Sequence, residues 1–236
     1  MAEKRPADDS DASQEAKRPK TDDNIPIIKR GIVIGTIKKL HPTDSEFIAN
    51  ASKLQISSKN MCTLVRCWKI VNPTTTDDFN CKREEFKDQE IPTEITQLYH
   101  NPVTRLYNRK SLGDILSTDI ISDGLDQRLG PGGYFGRGIY LTDNALRANI
   151  NYTHKSDSYF LLQCDVILGN CKKYDFGVYD KLLTREPAPK PGEPLWTSLL
   201  GNIAGNDEDY VVYCNQQVNI QYILEYTRIP ESVLNA

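Results

Sequence analysis

Paired metal-ligand spacing is missing from this sequence. Its six cysteines, Cys62, Cys67, Cys81, Cys164, Cys171 and Cys214, form no Cys-x-x-Cys unit, and its three histidines stand apart at His41, His100 and His154. Structural zinc sites draw on ligands a few residues apart, so no metal is expected. Several cysteines lie among apolar or β-branched neighbours, where the reduced, buried thiol of a cytosolic or nuclear protein is the expected state. Long hydrophobic runs are missing too. Nothing approaches the eighteen or so apolar residues of a membrane span, and no apolar signal region opens the chain, so an intracellular protein with no membrane partner is expected. The G-x-x-x-x-G-K-[ST] phosphate loop is absent. A net charge of −3 provides no general attraction for nucleic acid.

What is present suits one compact domain with a modest tail: 236 residues, 39% of them apolar. Residues 1–24 are rich in charge, Ser, Ala and Pro and show no apolar periodicity. They cannot offset the entropy of ordering and are expected to be disordered, with the domain occupying 25–236. Within the tail, Lys4-Arg5 and Lys17-Arg18-Pro19-Lys20 have the layout of a bipartite nuclear import signal, exposed cations that can reach two acidic sites on an import carrier. Nuclear localisation is therefore expected, with cytoplasmic residence also open. Seven acidic residues among the first thirty balance seven basic ones, which opposes phosphate contact, so direct nucleic-acid binding is not expected.

Along the chain, Ile25 to Leu40 carries β-branched clusters and reads as strand. Pro42-Thr43-Asp44-Ser45 starts a helix whose Phe47, Ile48, Ala51 and Leu54 recur at helical spacing and should face the core. Met61 to Val71 reads as a buried strand stopped by Asn72-Pro73, and Asp77 to Lys87 as a polar helix anchored by Phe79 and Phe86. Lys110 to Leu125 is predicted to form one helix, with Leu112, Ile115 and Leu116 on one side. Phe160 to Leu168 and Tyr210 to Tyr226 are the most β-like segments, the latter split by a polar turn at Asn215-Gln216-Gln217. Glu186 to Pro194 is a proline-rich surface loop.

The densest stretch runs from Gly130 to Tyr152. Gly130, Gly132, Gly133, Gly136 and Gly138 allow backbone to approach a ligand closely, and they lead into the strand-like Ile139-Tyr140-Leu141-Thr142. A dinucleotide loop of the Rossmann type would lead into a helix N-terminus instead, which argues against that fold. GYFGRGIYLTD at 133–143, LYHNP at 98–102 and DYVVYCNQQVNIQYILEY at 209–226, with VRCWKIVNPTTTDDF at 65–79 and LLQCDVILGNCKKYD at 161–175, resemble the catalytic domain of poly(ADP-ribose) polymerase-type ADP-ribosyltransferases. The resemblance covers roughly residues 32 to 229. It implies an α+β fold with a split, mainly antiparallel sheet that clasps NAD as co-substrate, an acceptor protein as partner, and no metal.

The resemblance also implies a site. His100 takes the place of the histidine that hydrogen-bonds the adenosine ribose of NAD, and Asn101 that of a glycine whose backbone grips the nicotinamide carboxamide. Asn101 keeps both backbone groups but adds a Cβ. Tyr140 corresponds to a tyrosine flanking nicotinamide, a role that suits an aromatic face against a cationic ring. For the second stacking tyrosine, an ungapped register points to Asn151 and one inserted residue to Tyr152, which the chemistry favours. Ala148 stands where the family often carries a serine bonded to the carboxamide. Asp209 replaces the family's glutamate; Glu208 precedes it and should face away, because side chains alternate across a strand. The acid is wanted because breaking the nicotinamide–ribose bond builds positive charge on the sugar. Aspartate keeps the charge and loses a methylene of reach, so single transfers are expected more than chain elongation. Asn101, Ala148 and Asp209 equally leave open a non-catalytic module that holds NAD or ADP-ribose. A transferase acting on nucleic-acid ends is a third reading, without a recognised reader domain to support it.

Overall fold

The computed structural model describes residues 24–102, 111–116, 118–127, 133–148, 158–202 and 208–229. The tail with its two basic clusters, residues 128–132 with Gly130 and Gly132, and residues 149–157 with Asn151 and Tyr152 lie outside them. Two sheets organise the fold. In the first, β1 (Asn24–Lys29), β2 (Ile32–Lys39), β3 (Cys62–Val71), β10 (Val218–Arg228), β6 (Tyr159–Ile167) and β4 (Ile95–His100) lie side by side in that order. Every neighbouring pair is antiparallel. The second sheet has the order β5 (Ile139–Leu141), β9 (Glu208–Val212), β8 (Ser198–Asn202) and β7 (Cys171–Lys173), with only the β7–β8 pair parallel. The architecture is α+β with a mainly antiparallel core.

β6 and β10 fill the centre of the first sheet because both of their faces are covered. Successive apolar residues serve two core clusters: Phe160, Leu162, Cys164, Val166 and Ile223 in one, Leu161, Leu224 and Tyr226 in the other. That is why these strands read as near-continuous apolar runs. Helix α1 (Ser45–Ser57) covers the second cluster through Phe47 and Leu54. Ile48 departs from the expected core face: it is 56% exposed, and Asn50, at 2%, is buried instead with its Nδ2 donating to Cys67 Sγ at 3.7 Å. The buried stripe therefore follows positions 47, 50 and 54 of the helix.

Local chemistry corrects other boundaries. The expected single strand from Ile25 is a hairpin that turns at Arg30 and Gly31, both at positive φ (50° and 78°). Such a turn matches the right-handed twist of the paired strands. Helix α2 (Pro73–Asp88) starts before the expected Asp77, because Asn72 caps it by accepting from the Thr75 N–H and Pro73 presets φ in the first turn. Phe79 and Phe86 anchor it as expected. The expected single helix of 110–125 is two short ones, α3 (Leu112–Leu116) and α4 (Ile120–Asp123). Thr118 turns back to Ile115, with its Oγ1 donating to that carbonyl at 2.7 Å, and Gly124 ends α4 at φ +81°. The proline-rich loop lies at the surface except for the buried Pro187. Among the described residues no helix is long and apolar enough to cross a membrane.

Two devices join the sheets. Tyr99 and Thr142 exchange backbone hydrogen bonds (2.7 and 3.0 Å), which sets β4 beside β5. Gln217, in the single 3-10 turn between β9 and β10, donates from Nε2 to the Ile167 and Thr197 carbonyls at 2.9 and 3.1 Å. The polar turn expected at 215–217 is thus where the chain changes sheets.

Phe135 is fully buried against Leu199, Val211 and Tyr213 under the second sheet, and it needs a glycine opposite: a Cβ on Gly201 would lie 1.9 Å from its ring. Gly201→Ala should cost roughly 1–3 kcal/mol of stability by overpacking. Denaturant unfolding checks this, and Phe135→Leu in the same background should recover part of the loss.

Candidate active site

The glycine cluster forms a tight turn before it reaches any cleft. Gly133 and Gly136 exchange backbone hydrogen bonds, and two phenols clamp the turn from below. Tyr140 Oη accepts from the Phe135 N–H at 3.0 Å and donates to the Gly136 carbonyl at 2.9 Å, while Tyr213 Oη donates to the Phe135 carbonyl at 2.8 Å. Gly133 is glycine for room, since a Cβ there would sit 2.6 Å from the Tyr140 phenol end. Burial pushes the Tyr140 phenol up to about 12, with the nearby Asp209 charge adding to the shift, so the group stays protonated and remains a donor.

His100 ends β4 half-buried, and its Nδ1 donates to the Tyr140 carbonyl at 2.8 Å. A carbonyl can only accept. In the neutral ring the proton therefore sits on Nδ1, and Nε2 is the acceptor nitrogen. Asn101 follows half-buried and Pro102 buried.

Asp209 is the second residue of β9, opposite Gly201 of β8. Glu208 is exposed, so the alternation runs as expected. In the β5–β9 ladder Tyr140 faces Val211, two residues on from Asp209, so Tyr140, Val211 and Asp209 point to one face of the second sheet. Asp209 meets a residue that sequence reasoning missed. Arg147 donates from Nε to Oδ1 at 3.2 Å and from Nη2 to Oδ2 at 2.9 Å, the two side chains being 10% and 18% exposed. Arg147 lies in the short helix α5 (Ala145–Ala148), whose start is held by Asn144: Oδ1 accepts from the Leu146 and Arg147 N–H groups at 2.9 and 3.2 Å. The signal that could have found Arg147 is a lone cation between Leu146 and Ala148, a turn after the strand of Tyr140.

Residues 46–228 match the family model of the poly(ADP-ribose) polymerase catalytic domain. The chain belongs to this family. Human protein mono-ADP-ribosyltransferase PARP4 is 30% identical over 135 residues, which are 55% of this chain and 8% of that protein. The chain thus spans less than a tenth of the relative's length.

Within this poly(ADP-ribose) polymerase catalytic fold, the structure brings His100, Tyr140 and Asp209 around one junction, with Asn101 beside His100. Ala148 ends α5 half-buried, its N–H donating to the Asn144 carbonyl at 3.0 Å, and it has no hydroxyl to offer a carboxamide. The choice between Tyr152 and Asn151 falls outside the described residues. Two surface grooves lie elsewhere, one between β1 and α4 and one between α2 and the proline-rich loop.

Tyr140→Phe removes the hydroxyl that satisfies the Phe135 N–H and keeps the ring. Thermal or denaturant unfolding should report a loss of about 1–2 kcal/mol, the cost of an unsatisfied half-buried donor. The Michaelis constant for NAD should stay within about threefold, since the ring is kept; a larger rise would place the hydroxyl itself in binding.

Proposed function

We propose that the chain transfers ADP-ribose from NAD to a protein acceptor in single units, with release of nicotinamide. The observation that carries this reading is the convergence of His100, Tyr140 and Asp209 at the junction of the two sheets, in a chain of the poly(ADP-ribose) polymerase catalytic family. The donor set fits NAD. His100, with its proton on Nδ1, presents Nε2 as acceptor toward a hydroxyl of the adenosine ribose. The Asn101 backbone offers an N–H and a carbonyl to the carboxamide. Tyr140 supplies an aromatic face for the nicotinamide ring, with Tyr152 as its partner in this reading. Asp209 supplies a negative charge for the sugar as positive charge builds on it, an electrostatic contribution that grows where water is excluded.

Single transfer is supported by two features. Asp209 is a methylene shorter than the family's glutamate, and both of its oxygens already accept from Arg147. A carboxylate has about four lone-pair positions, so one ribose hydroxyl can still be accommodated. Orienting a second ribose as acceptor asks more of the same group. A second reading, a module that holds NAD without turnover, is favoured by the neutralising contact of Arg147 and by the missing hydroxyl at Ala148. We also infer nuclear entry through an import carrier, on the basis of Lys4-Arg5 and Lys17-Arg18-Pro19-Lys20.

Intact-protein mass and free nicotinamide, measured after the chain is incubated with NAD, test the reading beside Asp209→Ala. Single ADP-ribose additions with matching nicotinamide are expected, reduced in the variant by on the order of a hundredfold or more. A ladder of additions would overturn single transfer. NAD binding without either product, with acceptor proteins supplied, would favour the holding module.

A further inference from the structure

Asp209 stands at the start of a strand, where backbone pairing alone restrains a side chain least. The described groups around it supply one matching charge. Tyr140 lies on the same face of the sheet from β5, opposite Val211 two residues on, and Gly201 and Asn202 on β8 carry no charge. Asp143 and Glu208 are acidic, and both act on the phenol of Tyr210, which is pushed up chiefly by burial. Arg147 alone among the described residues brings a cation into contact with the carboxylate, in the two-pronged geometry that fixes direction as well as distance.

Arg147 is itself held by a continuous path of hydrogen bonds. Tyr99 and Thr142 pair through the backbone; Thr142 Oγ1 accepts from the Asn144 N–H at 3.2 Å; and Asn144 Oδ1 accepts from the Arg147 N–H at 3.2 Å. Tyr99 directly precedes His100. The carboxylate is therefore referenced to the same junction that orients the histidine. The helix does not need the ion pair for anchorage, since Asn144 caps it and Ala145 is fully buried. A buried ion pair is in any case a poor source of net stability.

We propose that Arg147 is a positioning residue of the transfer reaction: its guanidinium sets the direction of the Asp209 carboxylate and so decides which lone pairs meet the ribose. This inference rests on the transferase reading. It assigns Arg147 no contact with the sugar or the leaving group, and it makes the two side chains one functional unit in which the fork compensates for the short reach of aspartate.

The test compares the full chain with Arg147→Ala, Arg147→Lys, Asp209→Asn and the double variant Arg147→Ala/Asp209→Asn, by nicotinamide release over a range of NAD concentrations. Arg147→Ala should lower kcat by on the order of a hundredfold, with the Michaelis constant for NAD within about threefold. Lysine should restore part of kcat, as one ammonium engages the carboxylate without the fork, and free guanidinium at tens of millimolar, on the order of its weak affinity for such a cavity, should partly rescue the alanine variant. In the Asp209→Asn background Arg147→Ala should bring no further loss, as befits residues that act through one another. An unchanged kcat, additive losses in the double variant, or a loss that follows a fall in melting temperature and resists guanidinium would each overturn the inference. Those outcomes leave the wild-type turnover standing, whereas a wild-type chain without turnover removes the transferase reading and this inference together.

Discussion

Two backbone hydrogen bonds between Tyr99 and Thr142 hold the edge of one sheet against the edge of another, and the candidate site is laid out from that contact. His100 is the next residue after Tyr99, and it bonds to the carbonyl of Tyr140, two residues before Thr142. Continuing past Thr142, the chain caps itself with Asn144 and delivers Arg147 to Asp209. Sheet edges usually carry unpaired backbone groups that invite foreign strands. Here one stretch of each edge is spent on the other sheet, and the polar groups left over at the joint belong to side chains with chemistry.

How far this could be read in advance depended on whether the deciding interaction was local. β6 and β10 were legible because strands covered on both faces must be apolar throughout, and the facing of Asp209 followed from simple alternation. The cap at Asn72 was legible only in half, because Asn72-Pro73 ends a strand as readily as it starts a helix. The break between α3 and α4 turns on Thr118 bonding back to Ile115, which apolar spacing does not record. Ile48 misled because a hydrophobic residue one position off the buried stripe looks like part of it, while Asn50 is buried through a contact with Cys67 on a strand seventeen residues away. Arg147 and Asp209 are 62 residues apart, and no pattern within either segment announces the pair.

The glycines illustrate a different limit. Their density before β5 was reason to expect close approach of backbone to a ligand. What the fold does with two of them is admit side chains: Gly133 makes room for the Tyr140 phenol and Gly138 for the Val211 side chain. At Gly136 it is the Leu183 backbone that comes within 1.9 Å of where a Cβ would stand, at a φ of +69°. A ligand and a tyrosine ask the same thing of a chain at this point, namely the absence of a Cβ, and composition cannot tell them apart. The turn so built is stiff, with two phenols and a buried aromatic holding it, which is the kind of support a precisely placed aromatic face requires.

The position of β10 has a consequence for the order of assembly. It lies between β3 and β6 in the first sheet, yet follows all the other described strands in sequence. During synthesis from the amino terminus, the flanking strands therefore emerge without the partner that joins them, and β6 can pair only with β4 until Val218–Arg228 is made. Contacts between strands so far apart in sequence also form slowly. Since β9, with its acid, immediately precedes the closing strand, the acid and the sheet that supports it are completed almost together. The strands that flank β10 thus wait for the one segment that carries both the acid and the strand that joins them.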